Sequence, residues 1–305
     1  MTYKNLAMAV FLAVAGPVSI LPAHAETQPV AFVPDNAEQR INFSGRLRML
    51  SQRIPAAACH LTQGVDAEAA TTLLASASTE FEKILTGLEF GDADLNIQAA
   101  EQNRRTLTAI ATLRERWEPL KEAADAMAAG AATEAQRDYI FNANLQVLAA
   151  AQSLVEQLVR QYSNPNAMTF SSLMLIDISG RQRMLTQKMS KESCLIASGS
   201  ASEELQEDLQ GTMAVFETSL HALRDGMPNV GIQPPPNDEI RTGLEGVTDD
   251  WETVKPYLSD VLAGVSLPED TDAQKFHGLN QTMVNMNRVV GMYADAAQRL
   301  VPLTQ

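Results

Sequence analysis

Aromatic residues are scarce, at 5% of the 305 residues, and no run alternates apolar and polar residues in the manner of a strand. Both shortages argue against a β-rich core, which draws on aromatic and β-branched side chains. Positive charge is also in short supply: 23 Lys and Arg face 37 Asp and Glu, for a formal net charge of -14. That balance excludes an ordinary nucleic-acid binder, which carries a basic face or stripe. Beyond the first 25 residues no stretch is long and apolar enough to span a bilayer. No Gly-rich phosphate loop or nucleophile elbow occurs. His60, His221 and His277 are scattered without metal-ligand spacing, and Met283, Met286 and Met292 fit a helix core better than a copper site. No enzyme activity, cofactor or metal is therefore expected.

What is present is a chain that is 45% hydrophobic, rich in Ala, Leu, Gln and Glu, and able to bury a sizeable helical core. Residues 1–25 resemble a secretory signal: one charge at Lys4, an apolar run from Leu6 to Ala15, and Ala23-His24-Ala25 as a small-x-small cleavage site. An uncleaved anchor is the alternative reading. Export would place the two cysteines where disulfides persist.

The chain also repeats itself. INFSGRLRMLSQRIPAAACHL (residues 41–61) aligns without a gap on IDISGRQRMLTQKMSKESCLI (residues 176–196), an offset of 135. Gly45/Gly180, Arg46/Arg181, Arg48/Arg183, Met49/Met184, Gln52/Gln187 and Cys59/Cys194 are identical pairs. Phe81-Glu82 and Phe216-Glu217 keep the register, and Trp117-Glu118 pairs with Trp251-Glu252 one residue out of it. A duplicated unit of about 140 residues exceeds any solenoid repeat. Each half reads as four helices: 37–62, 66–89, 97–129 and 132–162, then 168–197, 201–225, 237–263 and 269–303. The expected fold is all-α. It comprises two tandem antiparallel four-helix bundles, packed as an intramolecular pseudo-dimer with parallel first helices. The expected domains are 26–165 and 166–305, after a signal at 1–25.

A helical wheel of the motif separates its faces. Phe43, Leu47, Leu50, Ile54 and Leu61 form one stripe, toward the helix's own bundle. Ile41, Gly45, Arg48, Gln52, Pro55, Ala56 and Cys59 form a second, matched by Ile176, Gly180, Arg183, Gln187, Ser190, Lys191 and Cys194. Arg46 and Arg53 point a third way, and Met49 lies between the faces. Pro55 should cost the helix a backbone hydrogen bond. A mid-helix Gly costs roughly 1 kcal/mol against Ala, so its recurrence on the second stripe suits close approach of another helix. If the two motif helices lie side by side and parallel, equivalent residues meet at equal height. Cys59 and Cys194 would then form a disulfide, two unlinked buried cysteines being the alternative. Arg48 and Arg183, with Gly45 and Gly180, would form a small-anion site, and Gln52, Gln187, Met49 and Met184 would flank it.

The string Ile41-Asn42-x-Ser44-Gly45-x-x-Arg48-Met49-x-Ser51-Gln52-Arg53 resembles the first-helix signature of a bacterial sensory family. The family includes the N-terminal domain of type IV pilus methyl-accepting chemotaxis transducers (PilJ-like) and the periplasmic domain of nitrate/nitrite sensor kinases (NarX-like). The resemblance implies a dimeric four-helix bundle. In the nitrate sensors one anion sits between the Gly-x-x-Arg residues of two subunits. Carried over, these are Gly45 with Arg48 and Gly180 with Arg183. Nitrate or nitrite would be the anion, and a membrane sensor kinase or chemotaxis transducer the partner. The second motif departs from the signature, with Asp177 where the first has Asn42. The leading reading is a non-enzymatic periplasmic sensory protein; the alternative is a structural or interaction protein of the envelope or pilus machinery that has lost its ligand.

Overall fold

Eight long helices account for almost all of the chain that the computed structural model describes, residues 37–163 and 170–299. They are α1 (Ala37–Gln63), α2 (Ala67–Phe90), α3 (Arg104–Ala128), α4 (Glu134–Tyr162), α5 (Phe170–Leu195), α6 (Glu203–Asp225), α7 (Asp238–Leu262) and α8 (Glu269–Arg299). The expected signal segment and the junction at 165/166 lie outside the described residues.

Local chemistry sets the boundaries. Asp66, Asn103, Thr133, Ser202 and Asn237 each accept a backbone N–H of the first turn of α2, α3, α4, α6 and α7, and Thr133 forms a reciprocal capping box with Gln136. Gly91 (φ 86°) and Gly226 (φ 82°) end α2 and α6 in a conformation that favours glycine. α1 runs on through Pro55 without a break. Pro55 is itself buried.

One expected boundary is corrected. The third helix starts at Arg104, not near 97. Residues 92–103 instead form a tight turn, in which Asp92 caps a 3-10 turn (Ala93–Leu95) and pairs its backbone with Ile97. Buried Arg40 holds this turn, donating to Leu88 O (3.0 Å), to Ala99 O and to Glu101 Oε2 (3.4 Å). Glu101 in turn accepts the Gln102 and Asn103 amides. These tertiary contacts override the helix preference of Gln98-Ala99-Ala100-Glu101-Gln102.

α1–α4 close into one ring, each helix packing on its sequence neighbour and α4 returning to α1; α5–α8 close into a second. The partners run antiparallel within a ring: Ser78 meets Asp125 while Arg114 meets Glu82 and Glu89, and Asp250 meets Asn285 while Tyr257 meets Gln274. Trp117 and Trp251, both fully buried, sit against Phe81 and Phe216 at ring-centroid distances of 3.9 and 4.8 Å. The rings meet chiefly along α1 and α5, and α8 also touches α1. Matched contacts climb both motif helices in the same sense: Asn42 to Arg183, Arg53 to Gln187, and Cys59 to Cys194. α1 and α5 are therefore parallel neighbours.

Candidate functional site

The α1–α5 seam buries an unusual number of polar groups. Arg48 and Arg183 are each 1% exposed. A Cβ built on Gly45 would stand 3.3 Å from Arg48 Nη2 and 3.4 Å from Arg183 Nη2; one on Gly180 would stand 3.2 Å from Arg183 Nη2 and 3.5 Å from Arg48 Nη2. Both guanidiniums therefore converge on the strip of bare backbone between the two glycines. Any larger residue at either position would press on both charges.

Each guanidinium is held from two sides, in matching ways. Arg48 Nη1 donates to Gln152 Oε1 on α4 (2.7 Å), and Nη2 pairs with Asp177 Oδ1 on α5 (2.8 Å). Arg183 Nη1 donates to Asn287 Oδ1 on α8 (2.7 Å) and to Asn42 Oδ1 on α1 (2.9 Å), and Nη2 donates to Asn42 O (3.0 Å). Gln152 and Asn287 are separated by the repeat offset, as are Asn42 and Asp177. Desolvation opposes the charge of both arginines. Asp177 offsets this at Arg48, whereas the nearby Arg46 and Arg48 add to it at Arg183. Arg48 Nε, fully buried, has no hydrogen-bond partner among the described residues.

One layer further on, Lys191 Nζ donates to Gln52 Oε1 (2.8 Å) and Asn144 Oδ1 (3.1 Å). Burial pushes the Lys191 ammonium down to about 8. Arg53 Nε donates to Gln187 Oε1 (3.2 Å) and its Nη2 to Asn280 Oδ1 on α8 (3.2 Å). This corrects the helical wheel: Arg53 is buried at the seam rather than turned aside, because α8 covers the third face of α1. Arg46 keeps its separate direction and pairs with Glu80 at 2.5 Å. Met49 and Met184 join the apolar core beside these layers.

The far end of the seam is closed by the Cys59–Cys194 disulfide, with Cα atoms 6.2 Å apart. Beside it His60, fully buried, shares a hydrogen bond with Ser190 Oγ (3.2 Å) and packs on Phe276. A cleft of about 620 Å³, whose lining includes Cys194, Ile196, Val261 and Asp272, opens at this end rather than at the arginines. No cluster of three or more His, Cys, Asp or Glu residues suited to a metal occurs among the described residues. No helix there is long and apolar enough to cross a membrane.

The wheel and the repeat select Arg48, Arg183, Gly45, Gly180, Gln52, Gln187 and the two cysteines, and the structure gathers all of them at the seam. The motif alone does not reveal Gln152, Asn287, Asn144 and Asn280. These lie on α4 and α8, and only the shared 135-residue offset of Gln152 and Asn287 marks any of them in the sequence.

Comparison with known proteins gives one assignment. Two segments, residues 32–143 and 174–276, match the PilJ family, described as the type IV pili methyl-accepting chemotaxis transducer N-terminal region. No curated protein matches the chain. With the motif helices and most of both rings inside the matched segments, this chain belongs to the PilJ family.

Proposed function

We propose that the chain is a non-enzymatic periplasmic sensory protein. In this reading it is a covalent pseudo-dimer of domains 26–165 and 166–305, released by cleavage of residues 1–25. A small oxyanion, nitrate or nitrite by the NarX-like resemblance, binds between Arg48 and Arg183, and the bound state is read by a membrane sensor kinase or chemotaxis transducer. The observation that carries this reading is the pair of buried guanidiniums converging on Gly45 and Gly180. Both Nη2 atoms lie within 3.5 Å of a Cβ built on either glycine, and two unit charges at about 6 Å repel by about 3 kcal/mol at an effective dielectric near 20. A planar anion between them turns that repulsion into two charge-assisted contacts. Signalling then follows from any shift of α1 against α5 that the anion favours, since a ligand moves an equilibrium only by binding one arrangement better. The disulfide pins one end of the seam, about 16 Å of helix rise from Arg48. Movement is therefore confined to the arginine end.

Thermal-shift titration against nitrate, nitrite, sulfate and chloride tests this. A bound anion at a hundred times its Kd adds about 2.7 kcal/mol of stability. That gain is expected for the wild type and is expected to vanish in the Arg48→Ala/Arg183→Ala variant. The second reading, an envelope or pilus interaction protein without a ligand, draws on the Asp177 carboxylate already resting on Arg48. It predicts no response to any of the four anions.

A further inference from the structure

The two halves of the arginine site differ in charge at one position. Among the described residues Arg183 meets only neutral acceptors: the side chains of Asn42 and Asn287 and the backbone oxygens of Asn42 and Gly180. Arg48 meets Gln152 in place of Asn287, and at the position equivalent to Asn42 it meets the carboxylate of Asp177. Asp177 is partly buried, and its other oxygen stands 3.6 Å from Arg181 Nη2, whose side chain is 43% exposed. Of the other nearby charges, Arg46 is matched by Glu80, and Arg181 and Glu156 act on Arg48 with opposite signs. The inner set is then two guanidiniums against one carboxylate, a net charge of one.

We propose that Asp177 is a tethered carboxylate ligand of this seam. Within the arginine pair it satisfies the Arg48 half and leaves the Arg183 charge uncompensated, so the site accepts a single monovalent oxyanion and discriminates against dianions. The incoming anion competes with Asp177 for Arg48. This rests on the anion-binding reading above and adds to it the ligand's charge and the residue that sets it. The physical reason is charge matching in a desolvated site. A monoanion brings the inner set to neutrality, whereas a dianion leaves an unpaired negative charge buried beside Asp177. Asn42 shows that the seam accommodates an amide at this position, so Asp177→Asn keeps the shape and removes the charge.

The test is calorimetric titration of the full chain and of two reciprocal variants with nitrate and with sulfate, with circular dichroism to confirm folding. Wild type is expected to bind nitrate and not sulfate. Asp177→Asn is expected to bind nitrate on the order of tenfold to a hundredfold more tightly and to gain sulfate binding, because one charge repulsion at short range is removed. Asn42→Asp gives each arginine its own carboxylate and is expected to bind neither anion. It also decides the matter should Asp177→Asn fail to fold. If wild type binds nitrate and neither variant changes affinity or anion preference, the role of Asp177 is overturned while the anion-binding reading stands. Binding by Asp177→Asn alone supports Asp177 as the resident ligand and overturns capture of a free anion by the natural chain. No binding by wild type or by Asp177→Asn overturns both.

Discussion

Replacing Cys59 and Cys194 together by alanine is expected to lower the unfolding free energy by about 5 kcal/mol, the chain-entropy value for a loop of this length. The cross-link spans 135 residues and encloses α2, α3 and α4 entirely. Without it, the unfolded chain regains the freedom to separate the two motif helices. The native seam loses comparatively little, because parallel α1 and α5 already hold the two residues at equal height and both sulfurs are buried. Urea denaturation of the oxidised wild type and of the double variant measures the difference. Because the cross-link restrains the unfolded chain, its loss is expected to raise the slope as well, so the free energies extrapolated to water are compared. Reduction of the wild type by dithiothreitol during the urea titration, where unfolding exposes the buried sulfurs, is expected to give the same loss. A variant within about 1 kcal/mol of wild type would show that the seam's polar layers alone hold the halves together.

The disulfide was legible in the sequence for the same reason that the arginine pair was. Two copies of one motif, with a cysteine at the same register, leave few ways to pack that do not bring equal positions together. Helix identity was legible from apolar spacing, and the second ring's boundaries benefited from Gly231 and Pro234-Pro235-Pro236, which stop any helix. The first ring has no such stop between Asp92 and Asn103. Its turn is fixed by Arg40, a residue far away in sequence that reaches Leu88, Ala99 and Glu101. A periodicity argument cannot see that contact.

The same limit applies inside the site. A helical wheel ranks the faces of one helix but does not say how many of them are covered. The wheel groups Arg53 with Arg46 because both lie off the two stripes. α8 reaches across to α1, so Arg53 is buried against Gln187 and Asn280. Arg46 stays on the side of Glu80. Gln152 and Asn287 occupy equivalent positions but differ in type, so residue identity does not mark them as a pair. They do the same work, each offering a side-chain oxygen to one buried guanidinium. Asp177 was visible as a departure from the motif, but its consequence needed the geometry that sets it on Arg48 rather than in solvent.

His60 carries the other large expected effect, a loss of stability on acidification. The ring is fully buried between Ser190 and Phe276, and Lys275 and Asp272 of α8 act on it along with the more distant His277. Burial, reinforced by the Lys275 charge and only partly opposed by Asp272, pushes its pKa from 6.5 down to about 3. Protonation would also leave an Nδ1–H buried with no acceptor among the described residues. The unfolded chain takes up a proton at His60 as pH falls through 6.5, whereas the folded chain does so only near pH 3. Within that window the unfolded state binds more protons, so stability falls with falling pH. The slope is about 1.4 kcal/mol per pH unit, and the whole window amounts to about 4 to 5 kcal/mol. Carboxylate titration adds its own acid sensitivity in a chain this acidic, so the contribution of His60 is read as a difference. His60→Gln keeps a hydrogen bond to Ser190 and does not titrate. Between pH 6 and pH 4 the wild type is expected to lose about 2 to 3 kcal/mol more than His60→Gln, measured as unfolding free energies at matched ionic strength. Parallel pH profiles for the two proteins would mean that His60 takes up its proton in the folded state near its ordinary value, and that the disulfide end of the seam is open to water.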